Sequence, residues 1–141
     1  MATGDLARPT RRQRRRIDTA VEQAEASTGL QLCVFLGAPE GRDPHDHAEA
    51  VFVEAGLVER PAVLLLVAPK QHRVEVITGP HVRDRISNDD AAQAVAAMTE
   101  AFRRGDLTGG LLAGIEHLAA SAGPGVAEAG AADIANIFDP D

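Results

Sequence analysis

Ala62-Val63-Leu64-Leu65-Leu66-Val67-Ala68, closed by Pro61 and Pro69, is apolar at every position. A strand with one wet face alternates apolar and polar residues; this run does not, so it predicts a central strand covered on both sides. Burying each of its large aliphatic side chains is worth roughly 1.5–3 kcal/mol, which makes Val63 to Val67 the organiser of the fold.

Downstream, four turn-like residues from Pro69 to His72 lead into Arg73 to Thr78, where Val74 and Val76 alternate with Arg73 and Glu75. That pattern predicts a hairpin partner with one wetter side. Upstream, Leu30, Leu32, Val34 and Leu36 alternate with Gln31, Cys33 and Phe35, so both faces are mostly apolar and a second interior strand is expected. Between these two strands lies a loop from Gly37 to Arg42, then a strong helix start at Asp43, Pro44 and Asp46, running to about Ala55. A crossover of this length containing a helix favours parallel, right-handed pairing.

The flanks are helical. Thr10 with Gln13 spells a capping box, and Ile17, Ala20, Val21 and Ala24 repeat at helical spacing up to Gly29, predicting a helix over about Arg11 to Ser27. Ser87 and Asp90 bracket another capping box before Val95, Met98 and Phe102, with a stop at Gly105. Leu111, Leu112, Ile115 and Leu118 mark a last helix. Beyond Gly123-Pro124-Gly125 the chain turns Ala- and Gly-rich, and Ile134, Ile137 and Phe138 stand at helical spacing, predicting a short apolar turn in a tail. The expectation is an α/β fold: a three-layer α/β/α sandwich whose small mixed sheet combines a parallel βαβ unit with an antiparallel hairpin, flanked by about four helices. Residues 1–10 are expected to form a flexible N-terminus, 11–122 a single domain and 123–141 a flexible tail.

The chain has 141 residues, enough to bury about two-thirds of its unfolded surface without metal or disulfide support. Cys33 is the single cysteine, which excludes an intrachain disulfide and a cysteine-rich zinc site. No apolar run approaches the ~20 residues of a membrane helix, and the early arginines precede no signal-like apolar core, so a soluble cytoplasmic protein is expected. Of its 14 basic residues, six lie between Arg8 and Arg16; residues 17–141 hold the other eight against 20 of the 21 acids, a balance of -12. An acidic body with no Trp or Tyr and only four Phe argues against nucleic acid as the main partner.

Several segments together carry a family resemblance: Glu25-x-x-Thr28-Gly29 before the first strand, Leu64-Leu65-Leu66-Val67-Ala68-Pro69 into the hairpin, Arg73-Val74-Glu75-Val76 after it, and Phe102-Arg103-x-Gly105-Asp106 closing the next helix. Over about residues 14 to 122 the chain resembles a TPM domain, the family named for a thylakoid phosphatase-like protein, a photosystem II repair protein and an acetylcholine-receptor accessory protein. The resemblance implies a three-layer α/β/α domain, usually exported or membrane-tethered, acting as an acid phosphatase in one branch and as an accessory or repair factor in others. This chain departs from the pattern at Leu107, where an aromatic is usual, and at Ala55-Gly56-Leu57, where relatives carry a Trp-Gly-Ile-type turn.

Catalytic motifs are more firmly excluded than found. Pro39 stands where a cysteine phosphatase needs Arg, six residues after Cys33, and the chain contains neither a P-loop nor His-Glu-x-x-His. The predicted topology puts Asp43 to His47 and Asp106 at one end of the sheet and Asp84, Asp89 and Asp90 at the other. His45 and His47, two residues apart near a helix start, diverge by roughly 200° and cannot clasp one ion by themselves; they read as exposed imidazoles beside capping residues. Asp106 reads as the cap of a helix beginning near Thr108. Asp84, Asp89 and Asp90 offer oxygens to calcium or magnesium, with Arg83 or Arg85 placed to hold a phosphate; capping at Ser87 accounts for two of the three aspartates. The run Arg11, Arg12, Arg14, Arg15, Arg16 sits at a helix start, where each cation costs about 0.3–1 kcal/mol against the dipole. It reads either as contact with an acidic partner or membrane surface, or as a solvated face tied by the Arg14 to Asp18 spacing.

Two functions follow. The first is a non-catalytic interaction or accessory module that meets a protein partner through the basic N-terminal segment or the C-terminal tail. The alternative is a weak divalent-metal-dependent acid phosphatase with Asp84, Asp89 and Asp90 as ligands of calcium or magnesium. A small-molecule site at the strand ends near Gly37 to Asp43 is a third possibility for an open α/β sheet.

Overall fold

The structure is a computed structural model that describes residues 8–37, 41–125 and 137–138. The first helix, α1 (Arg11–Thr28), opens on the expected capping box: the Thr10 hydroxyl accepts the Gln13 amide at 3.1 Å, and the Gln13 side chain accepts the Thr10 amide at 2.8 Å. It closes at Gly29, whose φ of 77° is the left-handed conformation that glycine adopts without strain. The inward stripe of α1 is Ile17, Val21, Ala24 and Thr28.

Strand β1 (Gln31–Leu36) leads through α2 (Pro44–Glu54) into β2 (Ala62–Ala68), and the two strands pair in parallel from Gln31↔Ala62 to Leu36↔Val67. A 3-10 turn over Pro69–Gln71, with His72 at φ 52°, reverses the chain into β3 (Arg73–Thr78). This strand pairs antiparallel with β2, from Val63↔Thr78 to Ala68↔Arg73. All seven residues of β2 are buried, as the unbroken apolar run demands. Helix α3 (Asn88–Arg103) and helix α4 (Leu107–Ala122) then form an antiparallel pair.

One expectation is corrected. Ile137 and Phe138, expected at helical spacing, are extended and form β4 (Ile137–Phe138), parallel to β1 at Phe35 and Leu36, giving the sheet order β3-β2-β1-β4. The edge of β1 supplies unpaired backbone groups that a local periodicity count does not see. Ile134 lies outside the described residues.

Alternation along the strands divides the core in two. Leu32, Val34, Leu36, Val63, Leu65 and Val67 belong to the larger cluster, with Ile17 of α1, Met98 and Phe102 of α3, and Leu111, Ile115 and Leu118 of α4. Cys33, Leu64 and Leu66 belong to the smaller one, with Ala48 and Phe52 of α2 and the following Leu57. Among the described residues, helices therefore cover both sheet faces, three on one side and one on the other.

Close approach of α3 and α4 depends on glycine. A Cβ at Gly110 would stand 2.5 Å from Cε1 of the buried Phe102 ring, and one at Gly114 would run into the Met98 side chain.

Candidate functional site

Parallel β1 and β2 point their carboxyl ends toward the start of α2, and β3 begins at that same end. Asp43 caps α2, its carboxylate accepting the Asp46 amide at 3.1 Å. Alternation in β3 turns Arg73 and Glu75 to the α2 side, opposite Val74 and Val76. The result is a chain of charge across two elements. Arg73 Nη1 donates to Asp43 Oδ1 at 3.3 Å and Arg73 Nη2 to Glu75 Oε2 at 2.9 Å. His45 Nδ1 lies 2.9 Å from the other Glu75 oxygen, and His45 Nε2 lies 3.3 Å from Glu49. Nearby, Arg42 reaches His47 Nδ1 at 3.4 Å, and the His47 ring meets Phe35 edge-on at 5.9 Å.

The electrostatics follow from these contacts. The Glu75 carboxylate hydrogen-bonded to His45, aided by the charges of Glu49 and Asp43, raises the imidazole above its usual range. The Asp46 amide, then Arg73, hold Asp43 below the usual carboxylate value. Arg73 is held further in its charged form by Glu75 and Asp43. His45 is exposed, as expected, and in addition both its ring nitrogens face carboxylates. Sequence reasoning missed Glu75 because the pair is 30 residues apart. The available signal was the i, i+2 spacing of Arg73 and Glu75 on a strand whose first residue lies beside the end of β2.

The opposite end of the sheet behaves differently. Asp90 is spent on a capping box, its Oδ2 accepting the Ser87 amide at 3.0 Å while Ser87 Oγ accepts the Asp90 amide at 3.0 Å. Asp84 and Asp89 are exposed. Among the described residues, no three His, Cys, Asp or Glu side chains are grouped so as to hold a metal ion. Nor is Arg85 poised for a phosphate: its guanidinium donates to the carbonyls of Ala122 at 3.2 Å, Gly123 at 2.8 Å and Pro124 at 3.3 Å, satisfying the orphan acceptors where α4 ends. Arg83 is exposed. Asp106 is the cap of α4, accepting the Gly109 amide at 2.8 Å. Asp43 and Asp106 follow the carboxyl-terminal ends of β1 and α3, whereas the 84–90 cluster follows the far end of β3, so the two acidic groups occupy opposite poles.

Neither of the remaining reactive side chains is a nucleophile in waiting. Cys33 is buried in the α2-side core, and desolvation, with Glu25 adding repulsion, pushes its thiol up to about 11. His117 is partly buried on α4, with its Nε2 buried and unbonded.

A third feature is a groove between α1 and α4. Its basic end, about 390 Å³, is walled by Arg12, Arg15 and Arg16 with Thr19. It adjoins a compartment of about 470 Å³ along Ala24, Ile115 and Ala119, bounded by Ser27 and Glu116; Ala20, Gln23 and Leu112 line both. Residues 12, 15, 16, 19, 20 and 23 recur at helical spacing, so the groove follows one face of α1, while Arg11 and Arg14 belong to another. All five arginines are exposed.

Together these features define a three-layer α/β/α domain with an inter-element ion network at the strand ends and an arginine-ended groove on its helical flank. The chain belongs to the family described as a domain of unknown function, DUF5130, which matches residues 6–119. It is 35% identical over 111 residues to the uncharacterized proteins MT2543 and Rv2468c of Mycobacterium tuberculosis, an alignment covering 77% of this chain and 64% of theirs. The chain thus spans less than two thirds of the length of those relatives. Its fold is similar to the NMR structure of BA42 from Bizionia argentinensis, with a TM-score of 0.78 at 22% identity and 92% of each chain covered. It is also similar to the N-terminal domain of cg2496 from Corynebacterium glutamicum, with a TM-score of 0.66 at 19% identity, covering 90% of this chain and 80% of that one. Among the described residues no helix is long and apolar enough to cross a membrane.

Proposed function

We propose that this chain is a TPM-like, non-catalytic interaction module that engages a protein partner through the basic face of α1. The observation that carries this reading is the placement of Arg12, Arg15 and Arg16 on one wall of the α1/α4 groove, in the first two turns of a helix that has no acid in its opening turn to offset them. A cation in the first turn, such as Arg12, costs about 0.3–1 kcal/mol against the helix dipole before salt screening, and the cost fades toward Arg15 and Arg16. Among the described residues these three make no salt bridge. Placement against the dipole is what an acidic partner would compensate.

Affinity capture with the full chain and with the triple variant Arg12→Gln, Arg15→Gln, Arg16→Gln tests the reading, with circular dichroism to verify that both fold. Partners retained by the parent chain and lost by the variant support it; equal recovery of every partner rejects it. The alternative, a divalent-metal-dependent phosphatase on Asp84, Asp89 and Asp90, is separated by titrating calcium or magnesium against the amide spectrum. Shifts confined to residues 83–92, together with phosphate release that Asp89→Asn removes, would favour that alternative.

A further inference from the structure

We infer that the α1/α4 groove receives an amphipathic α-helix whose acidic residues cluster at the end lying beside Arg12, Arg15 and Arg16. This inference rests on the interaction reading above and names the partner's chemistry. Three observations lead to it.

The first is shape. From Arg12 to Ser27 the groove follows α1 for fifteen residues, which at about 1.5 Å per residue is about 22 Å, the length of four helical turns. The second is backbone chemistry. The middle of the groove, at Ala20, Ala24, Leu112, Ile115 and Ala119, is apolar and walled by two helices whose backbone groups are spent on their own ladders. An extended peptide laid there would leave its amides and carbonyls unpaired against apolar side chains, whereas a helix brings its own hydrogen bonds and presents only side chains. The third is polarity. Arginines wall one end, Gln23 and Glu116 lie along the apolar stretch beyond them and Ser27 closes the far end, so charge complementarity fixes which end of the incoming helix is acidic. Both α1 and α4 run away from the arginine end: Gly125, just past α4, donates to the carbonyl of Ser27 near the end of α1. The groove therefore keeps one direction along its whole length.

The test uses the full chain, isotopically labelled, and a synthetic 16-residue helical peptide with leucine and alanine on one face and four glutamates in its terminal turn. The expected result is amide shifts confined to residues 12–27 and 112–119. Affinity should fall roughly tenfold in the Arg12→Gln, Arg15→Gln, Arg16→Gln variant, about twofold for each exposed charge pair lost. A control peptide with lysine in place of glutamate should bind no better than that variant does. Gln23→Glu, an exposed polar substitution that leaves the core untouched, should also weaken binding of the acidic peptide. Equal binding of the lysine peptide, shifts centred elsewhere, or no binding at millimolar peptide overturns the inference. So does tighter engagement of the same residues by phosphatidylserine vesicles, which would make the face a membrane contact. If the peptide fails while arginine-dependent capture of a partner persists, the groove assignment falls and the interaction reading stands; loss of both removes both.

Discussion

Three helices seal one face of the sheet, where Val34, Leu65 and Val67 gather with Ile17, Met98 and Leu111. Among the described residues the other face has α2 alone, and its apolar patch of Cys33, Leu64, Leu66 and Phe52 gives way at the strand ends to Arg73, Glu75 and His45. The first face is closed by shape, since glycines at 110 and 114 admit the side chains of α3. The second is finished by charge. Damage on the first face should therefore be large and independent of pH, and damage at the end of the second small and dependent on it.

The largest effect is expected from Leu65→Asp. Leu65 is fully buried in the middle of β2, and an unpaired carboxylate there lacks both water and a partner. No cooperative unfolding transition should remain in circular dichroism. A folded variant would show that β2 is not the organising strand.

Next comes Gly110→Ala. The new methyl would press on the Phe102 ring, which is only 2% exposed. Overpacking of this kind costs about 1–3 kcal/mol, read as a lowered midpoint in urea with an unchanged slope. An equal or raised midpoint would mean that α3 and α4 are loosely apposed.

How much of this comparison is legible beforehand depends on sequence distance. The run Ala62 to Ala68 yields its strand with the observed limits because burial on both faces leaves a one-dimensional mark, and Thr10, Ser87 and Gly29 mark helix ends through contacts within four residues. The pairing of His45 with Glu75 leaves no such mark, since each residue has an adequate local explanation as a surface group near a cap or on a wet strand face. Only the antiparallel return of β3 brings them together. Asp90 is the converse case: its capping role is local, and the sequence marks it through the spacing to Ser87. Ile137 and Phe138 fit a helical spacing in isolation, and it is the open edge of β1, a hundred residues earlier, that extends them.

Asp106→Ala lies between the two extremes. It removes the acceptor of the Gly109 amide at the start of α4, on the tightly packed side but at its exposed rim. Loss of a cap of this kind costs about 1 kcal/mol. Replacement by Asn, which keeps the acceptor, should recover most of the loss in thermal melts; no recovery would assign Asp106 a role beyond the cap.

The smallest effect in energy, and the most diagnostic, is at Glu75. Because Glu75 raises His45 above the ordinary imidazole value of 6.5, the stabilisation it gives is whole below that pH and is lost as pH rises through the higher folded value. Asp43 has the opposite sign: held below 3.8, it contributes above that value and loses its contribution as pH falls through the lower folded one. The network is therefore tightest in mildly acidic solution, between these two limits. Its pairs are largely exposed and screened by solvent, so the change in stability is small. In Glu75→Gln, the His45 imidazole resonance should titrate at lower pH than in the parent chain, and the loss of stability from mildly acidic to alkaline solution should shrink. The same substitution should leave the urea slope unchanged, because the α2-side core beneath it is intact. An unchanged His45 titration would mean that Glu49 or Asp43, rather than Glu75, holds the imidazole. His45 would then belong to a helix-local charge pair, and Arg73 on Asp43 would be the tie from this end of α2 to the sheet.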